Sequence, residues 1–344
     1  MLKCQTFCPI GGGHFASFPC RLKLTCLLVL STTCPRAEDI MAQLDEHIAF
    51  SVFRLLIMIV SVLGNLLILF ILFSNRKLRK SGPNVLFAQL AAADLILGIG
   101  AGARGVSAIY FAHFGITSYH KGLCLILGSP TVLGIHLSQT TMVSIAFDRF
   151  LCIRLPVFYR NLENHRFAFL RSVCCILYSI LGSAASYIGV SFSDSVEICS
   201  TGTAIRSWYS TYWLIFATVL TLVIYVAYIA IYILFLQQTN SSYGKTSSQK
   251  AIFVTMSAVL ASYFICWCIP NVLFAVFKSV QVSPTLLGYI GVLTGVGSAL
   301  SSTTNIFIYG WKHPQLKNQL KRLFYGIMGR RLSTVEPMTV PSKS

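Results

Sequence analysis

Ionisable side chains inside long apolar stretches are the residues of this sequence that could carry chemistry. A charged group at the centre of a lipid bilayer costs roughly 2.5–3.5 kcal/mol on insertion scales, so its presence there indicates function. Asp94, at the end of the segment Leu90-Ala91-Ala92-Ala93-Asp94, is such a residue. It lies about ten residues, or roughly 15 Å of helix, from the start of its stretch. We therefore expect Asp94 to belong to a functional site within the membrane.

Polar residues on three other apolar stretches come to a similar depth. Counted from the same side of the membrane, they are Asn65, Ser138, Ser301, Ser302 and Asn305. Two interpretations are open: each helix satisfies its own polar groups, or the helices share one network. The common depth favours a shared network that holds water or a sodium ion near Asp94. We expect no other cofactor and no other metal.

A further set of residues marks the two ends of a single apolar stretch. Arg149, in the triplet Asp148-Arg149-Phe150, follows Cys124 by 25 residues, and a helix of that length spans ~37 Å. Its ends therefore lie at opposite surfaces of a membrane. Arg149 can pair with Asp148 and be released when that carboxylate is protonated or the helices shift. Cys199 falls on the same side as Cys124, where oxidising conditions permit a disulfide.

The composition indicates that lipid is the solvent for most of the chain. Of the 344 residues, 55% are hydrophobic and only 11% are charged, and the mean hydropathy is +0.71. A soluble domain carries about 25% charged residues. Because backbone polar groups in lipid must be satisfied internally, only helices or closed barrels can span it. The apolar stretches are continuous rather than alternating, which favours helices.

Seven stretches approach or exceed the ~20 residues that a membrane-spanning helix needs. We place them at 48–73, 84–110, 121–153, 166–190, 209–236, 250–277 and 284–310. The third is longer than a bilayer requires and is expected to project from it. The predicted fold class is therefore an all-α membrane protein, a seven-transmembrane helix bundle at 48–310.

The distribution of lysine and arginine predicts the orientation of the bundle. The loops after the first, third and fifth stretches, with the C-terminal tail, hold seventeen, and the loops after the second, fourth and sixth hold three. The positive-inside rule then places the C-terminus in the cytosol and the N-terminus outside. The net charge of +17 thus reports topology, and we expect no nucleic-acid partner.

The segments on either side of the bundle receive separate predictions. Residues 1–47 are expected to be an extracellular tail, with a signal peptide or a faulty gene start before Met41 as open alternatives. Residues 311–328 are expected to form an amphipathic cytosolic helix on the inner leaflet, and 329–344 a disordered tail. The apolar positions of that helix are Trp311, Leu316, Leu320, Leu323 and Phe324, interleaved with Lys317, Lys321 and Arg322.

Together these features resemble the rhodopsin-like, or class A, family of G-protein-coupled receptors over about residues 48–328. The residues that carry the resemblance are Gly64-Asn65, Leu90 to Asp94, Asp148-Arg149-Phe150, Phe264, Trp267, Pro270 and Asn305 to Tyr309. Cys124 and Cys199 match the family's disulfide. The resemblance implies a plasma-membrane receptor that activates a heterotrimeric G protein. It also implies that the activation switch consists of the Asp148-Arg149-Phe150 triplet with Phe264, Trp267 and Pro270 of the sixth span and Asn305 and Tyr309 of the seventh.

Several positions depart from the family pattern. Trp267 and Cys268 are exchanged, which puts the aromatic switch of the sixth span in doubt or moves it by one residue. Ile306 replaces a proline, and Lys250 stands where many relatives carry an acid that holds Arg149. These departures from the family pattern, together with the segment from Leu155 to Asn161, resemble the sequences of the nematode chemoreceptors of the serpentine SX class.

The ligand is less constrained by the sequence. The last span has no lysine for a retinal Schiff base, and Thr131 stands where amine receptors carry an aspartate, so neither ligand is favoured. Arg104, in the outer third of the second span, is either a partner for an anionic ligand or a side chain that snorkels to the interface. Snorkelling is the expectation for Arg54. Arg104 and Thr131 are the candidate ligand-binding residues.

Other classes of membrane protein fit the sequence less well. A transporter would show internal repeats, a channel a ring of acidic residues, and an enzyme paired catalytic groups, and we find none of these. The segment Gly100-Ala101-Gly102-Ala103-Arg104-Gly105 satisfies a dinucleotide-binding pattern but lies inside a span without a preceding strand. Small residues there indicate close helix packing instead, and we interpret Gly291 and Gly295 in the same way.

Overall fold

The structure, a computed structural model, describes residues 48–79, 82–155, 157–159, 165–240, 258–259, 261–280, 282–312 and 314–327. The predicted N-terminal tail, the C-terminal tail and Lys250 lie outside these residues. The described chain is almost entirely helical. Its helices are α1 (Ile48–Ser74), α2 (Arg76–Arg79), α3 (Gly82–His113), α4 (Lys121–Arg154), α5 (His165–Ala185), α6 (Thr201–Ala204), α7 (Ser207–Asn240), α8 (Ile269–Ser279), α9 (Pro284–Lys312) and α10 (Pro314–Ile327).

Among the described residues, six helices are long and apolar enough to cross a membrane. We call them spans one to six: α1, α3, α4, α5, α7 and the helix Ala261–Ser279, which includes α8. Span seven is α9, which has 29 residues. The predicted and observed boundaries of the spans agree to within a few residues. The exception is the start of the sixth span, because residues 250–260 are largely outside the described chain. Span four ends at Ala185, before the predicted residue 190, because the chain turns there and Gly189 adopts a positive φ of 76°.

Glycines set how closely the spans pack. A methyl group added at Gly100 would lie 2.4 Å from Thr131 Oγ1, and one added at Gly102 would lie 2.1 Å from Met58 Sδ. Gly105 similarly approaches the backbone of Ser51. These distances are below van der Waals contact, so only glycine permits the approach. The packing interpretation of the dinucleotide-like segment is confirmed.

A disulfide and a short two-stranded sheet organise one end of the bundle, which we call the outer end. Cys124 and Cys199 are bonded, with their Cα atoms 5.1 Å apart, as the resemblance implied. Beside them β1 (Tyr119–His120) pairs antiparallel with β2 (Ser195–Val196). The opposite end carries Asp148 and Arg149, and we call it the inner end.

The sixth span contains a π-helical turn at Phe264–Cys268. The backbone N–H of Ile269 donates to the carbonyl of Phe264, five residues earlier, which inserts one extra residue into the helix. Pro270 follows and cannot donate to the carbonyl of Cys266. Gly297 of span seven comes against this carbonyl, because a methyl group at position 297 would lie 2.1 Å from Cys266 O.

Candidate functional site

Ser61, a residue that the sequence analysis missed, links three spans in the middle of the bundle. Its hydroxyl donates to the backbone carbonyl of Asp94 at 3.0 Å and lies 2.9 Å from Ser302 Oγ. The amide of Asn65 donates to the carbonyl of Ser61 at 2.9 Å. All four residues are buried. Spans one, two and seven are therefore joined at the depth that the sequence predicted.

Asp94 is the charged member of this group. Asn305 Nδ2 donates to Asp94 Oδ2 at 3.0 Å, and both side chains are buried. A small cavity beside Asp94 is lined by Ser138 and Ser301, together with Gln139 and Ser298, which the sequence analysis did not select. Direct hydrogen bonds thus join some of the predicted residues, and the cavity gathers the others.

The oxygen atoms around this cavity fit the requirements of a small hard cation. Such ions take carboxylate, carbonyl and hydroxyl oxygens as ligands. Asp94 supplies a carboxylate, Ser138 and Ser301 supply hydroxyls, and Gln139 Oε1 is buried without a hydrogen-bond partner among the described atoms. Asn305 Oδ1 is likewise buried without a partner there. The same atoms fit ordered water, which hydrogen-bonds to such groups.

The π-helical turn decides which aromatic residues of span six face the centre. Trp267 is 2% exposed and lines the cavity beside Asp94. Tyr263 is also buried, and its hydroxyl accepts from Gln139 Nε2 at 3.0 Å. Phe264, by contrast, is 47% exposed and packs on Tyr225. The structure therefore does not bring Phe264 into the predicted switch, and Tyr263 occupies the buried position.

Asp148 at the inner end is held by three side chains. Arg149 Nη2 donates to Oδ2 at 2.8 Å, and Tyr159 donates to the same oxygen at 3.2 Å. Arg171 of span four donates to Oδ1 at 2.7 Å and lies over the ring of Phe167. Asp148 is 1% exposed. The predicted pair of Asp148 and Arg149 is present, while Arg171 is a second cation that sequence spacing did not reveal.

The structure also gives the positions of the remaining residues of the predicted switch. Phe150 is half-buried on span three, and Pro270 is half-buried directly after the π-helical turn. Tyr309 lies in the helix of span seven, but its side chain is outside the described part of the structure. Ile306, where the family carries proline, packs on Gly64 of span one: a methyl group at Gly64 would lie 2.5 Å from Ile306 Cδ1.

Two connected cavities open toward the outer half of the bundle. The first lies between spans one, two, three and seven. The second lies between spans three, five, six and seven. Both are lined by Thr131, Thr201, Gly291 and Gly295. We call them lobe A and lobe B of one outer cavity.

Arg104 and Thr131, the predicted ligand-binding residues, both line lobe A. Arg54 lines it as well, 4% exposed and with its guanidinium carbon 4.4 Å from the ring centre of Phe50. The expectation that Arg54 snorkels to the interface is wrong, because the side chain turns into the bundle and stacks on an aromatic ring.

The walls of the cavity also correct the interpretation of two glycines. A methyl group at Gly291 or Gly295 would meet its nearest neighbour only at 3.9 or 4.0 Å. These glycines therefore leave room in the cavity and do not tighten a helix contact.

The disulfide positions a short loop helix over this cavity. Cys199 is followed by Ser200, whose hydroxyl accepts from the backbone N–H of Thr203 at 3.2 Å and so caps α6. Thr201 then reaches span three, where a methyl group at Gly128 would lie 2.1 Å from its hydroxyl. Ser200 and Thr201 both line lobe A.

Comparisons with known proteins agree with this architecture. The family described as the serpentine type 7TM GPCR chemoreceptor Srsx matches residues 58–324. Melatonin receptor type 1A of Ovis aries is 22% identical over 324 residues, which cover 90% of this chain and 87% of that receptor. The C3a anaphylatoxin chemotactic receptor of Oncorhynchus mykiss is 25% identical over 288 residues, covering 77% of this chain and 75% of that receptor.

The family match runs from the middle of span one through span seven and most of α10. It agrees with the chemoreceptor resemblance found from the motifs. The chain is a multi-pass membrane protein, and the matching family is one of receptors. The chain therefore belongs to the Srsx family of serpentine, seven-transmembrane G-protein-coupled chemoreceptors.

Proposed function

We propose that this receptor binds an external chemical signal in the outer cavity and activates a heterotrimeric G protein at the inner end. The proposal includes a plasma-membrane location with the N-terminus outside. The observation that carries it is an aromatic contact that joins the outer cavity to the cavity beside Asp94. Trp213 lines lobe B and packs on Trp267 at 6.2 Å between ring centres, and Trp267 lines the cavity beside Asp94.

The mechanism follows from a shift between two populations. A ligand changes the equilibrium only through a difference in its affinity for the two states. Displacement of Trp213 by an occupant of lobe B is transmitted to Trp267 and to the π-helical turn, where Pro270 already interrupts the helix. Outward movement of the inner end of span six then separates the spans around Asp148.

The inner end provides the response. In the described arrangement Arg149 is engaged by Asp148, and Asp148 is shared with Arg171 and Tyr159. Release of Arg149 from Asp148 presents a guanidinium to the G protein. Arg171 retains the carboxylate during this exchange, so Asp148 is not left as a buried and unpaired charge.

The names of the relatives do not identify the signal. One is a melatonin receptor and another is a receptor for the C3a anaphylatoxin, which are a small molecule and a protein. The family description supports a chemosensory signal, and we propose that this signal is a small molecule or a peptide.

Nucleotide exchange on co-expressed G proteins tests the proposal. Cells that express the receptor would be screened with small molecules and peptides, and exchange would be read in their membranes. Ligand-evoked exchange that Arg149→Ala abolishes at equal surface expression is the expected result. Ion current or solute flux without exchange would contradict it and favour a channel or a transporter.

We also propose that Na⁺ binds beside Asp94. Its support is the set of oxygen atoms from Asp94, Ser138, Ser301 and Gln139 around one cavity. Replacing Na⁺ by choline is expected to change basal exchange in the unmodified receptor and to have no effect in Asp94→Asn. Ser302→Ala, which leaves the carboxylate in place, should keep the Na⁺ dependence. Equal responses of the unmodified receptor in Na⁺ and choline would contradict the proposal.

A further inference from the structure

Lobe B of the outer cavity has a wall of apolar and aromatic side chains. Val132 and Ile135 contribute to it from span three, Trp213 from span five and Phe274 from span six. Among the described residues that line this lobe, none is an aspartate, glutamate, lysine, arginine or histidine. An ion that entered lobe B would therefore lose its water without meeting an opposite charge on the wall, and such a transfer is costly.

The polar side chains around lobe B make hydrogen bonds within the protein. The hydroxyl of Tyr209 donates to the carbonyl of Gly182 at 2.8 Å, and that of Thr294 donates to a carbonyl of its own helix at 2.9 Å. The side-chain nitrogen of Asn271 donates to the backbone carbonyl of Trp267, also at 2.8 Å. Because that carbonyl can only accept, the bond fixes which end of the Asn271 amide is the oxygen.

The side-chain oxygen of Asn271 remains as an acceptor at the wall of lobe B. Asn271 is half-buried and lines the lobe, and its Oδ1 accepts no hydrogen bond from the described residues. An amide oxygen in an apolar site is stabilised by an N–H or O–H donor. The hydroxyls of Thr131 and Thr201 add polar atoms where the two lobes meet. A ligand with one hydrogen-bond donor thus fits lobe B better than a wholly apolar one.

A positive charge lies at the outer edge of lobe B. Lys278 Nζ donates to Ser210 Oγ at 3.0 Å and to Thr211 Oγ1 at 3.3 Å, and Ser210 lines the lobe. Both partners are neutral hydroxyls, so the charge of the ammonium group is not cancelled by them. A cationic ligand is therefore disfavoured twice, by the loss of its water in the lobe and by repulsion at its edge.

We propose that the ligand of the outer cavity is an uncharged aromatic molecule whose ring fills lobe B beside Trp213 and Phe274 and whose N–H or O–H group donates to Asn271 Oδ1. This inference rests on the proposed receptor function and names the chemical class of its signal. Aromatic rings pack well on one another in offset and edge-to-face contacts. The same placement brings the ring against Trp213, the residue that contacts Trp267. The donor then determines recognition, and the ring determines activation.

Direct binding to the purified receptor in nanodiscs tests the inference separately from signalling, with empty nanodiscs to subtract partition into lipid. The probes share one skeleton: 2-naphthylmethanol, its methyl ether, its fully saturated analogue, 2-naphthylmethylamine and 2-naphthoate. We expect the alcohol to bind about tenfold or more tightly than the ether, the amine or the acid. The saturated alcohol should bind less tightly than the aromatic one, and the amine least of all. An amine or acid that equals the alcohol, or no binding by the alcohol, would overturn the inference.

A variant of Asn271 locates the hydrogen bond. Asn271→Leu should weaken binding of the alcohol about tenfold and leave the affinity for the ether unchanged, because only the alcohol donates. A merely structural role of Asn271 would weaken both. Ser279→Leu is the matched control, because Ser279 is exposed on the same helix and lines neither lobe. Equal losses for alcohol and ether, or no loss for the alcohol, would overturn the assignment.

A change of charge keeps the test informative if the leucine variant folds poorly. Asn271→Asp keeps the size of the side chain and places a negative charge at the wall of lobe B. It should bind 2-naphthylmethylamine about tenfold or more tightly than the unmodified receptor does, a gain that misfolding cannot produce. Ser279→Asp should show no such gain. An unchanged affinity for the amine in Asn271→Asp would contradict the inference.

The two proposals fail in distinguishable ways. Binding of 2-naphthylmethanol that Asn271→Leu weakens, without nucleotide exchange in response to any ligand, would support the site in lobe B and contradict the proposed receptor function. Exchange evoked only by charged ligands, with no binding of the neutral alcohol, would support the receptor function and overturn this inference.

Discussion

The outer and inner halves of this receptor solve the burial of polar groups in different ways. In the inner half, side chains satisfy one another: Asp148 is shared by Arg149, Arg171 and Tyr159. In the outer half, the polar side chains of Thr131, Ser200 and Thr201 line a cavity between the spans. The closed half suits a switch, since its bonds must break for the helices to separate. The open half suits a site for an exchangeable ligand.

The two halves meet at span six and span seven. The π-helical turn at Phe264–Cys268 lies against Gly297, and Asp94 and Asn305 join spans two and seven close by. Movement in one half must pass through this junction. Variants in the outer half, at the junction and in the inner half should therefore have distinguishable effects.

The largest effect is expected from breaking the outer half. Cys124→Ser or Cys199→Ser removes the disulfide that holds α6 over the cavity, and loss of a native disulfide costs about 2–5 kcal/mol. Surface expression and the thermal midpoint should fall together, and the double variant should match the singles. Cys174→Ser is the control, because Cys174 is an exposed free cysteine. Normal stability of Cys124→Ser would show that the bridge does not support the outer half.

A smaller loss of stability is expected at the junction. Gly297→Ala places a methyl group against the carbonyl of Cys266, and overpacking of this kind costs about 1–3 kcal/mol. Gly295→Ala, two residues away on the same helix, adds the same group 4.0 Å from its nearest neighbour. Thermal melting of both purified variants compares them. Equal midpoints would mean that span seven does not approach the π-helical turn.

The inner half is tested by its activity rather than its stability. Asp148→Asn weakens the hold on Arg149 and Arg171, so basal nucleotide exchange should rise by roughly fivefold or more. Asp194→Asn is the control, because Asp194 forms an exposed pair with Lys121 at the outer end, and such pairs contribute little. Basal exchange that stays the same in Asp148→Asn would contradict the proposed lock.

The features of the fold that were predicted from sequence are those that the lipid environment of the helices determines. Continuous apolar stretches placed the spans, and the depth of Asn65, Asp94 and Asn305 along their helices placed the polar network, because rise per residue is constant. The disulfide came from the resemblance. Ser61 could have been found in the same way, since it lies four residues before Asn65 on the same helix face.

The parts that were missed depend on rotation and on contacts between spans. Depth predicts the level of a side chain but not the direction in which it points. The π-helical turn rotates span six, so that Tyr263 is buried where Phe264 was expected. The exchanged Trp267 and Cys268 were a signal of that shift. Arg171 reaches Asp148 across a helix interface, and no spacing within one helix encodes such a contact.

The most direct test of communication between the two halves is a reciprocal binding measurement. The affinity of the strongest activator from the exchange screen would be measured in nanodiscs with and without nucleotide-free G protein. If the outer cavity and the Asp148 site are coupled, the G protein must increase the affinity for the ligand. The ligand must increase the affinity for the G protein by the same factor, roughly fivefold or more. Ligand affinity that does not change when the G protein binds would contradict this account.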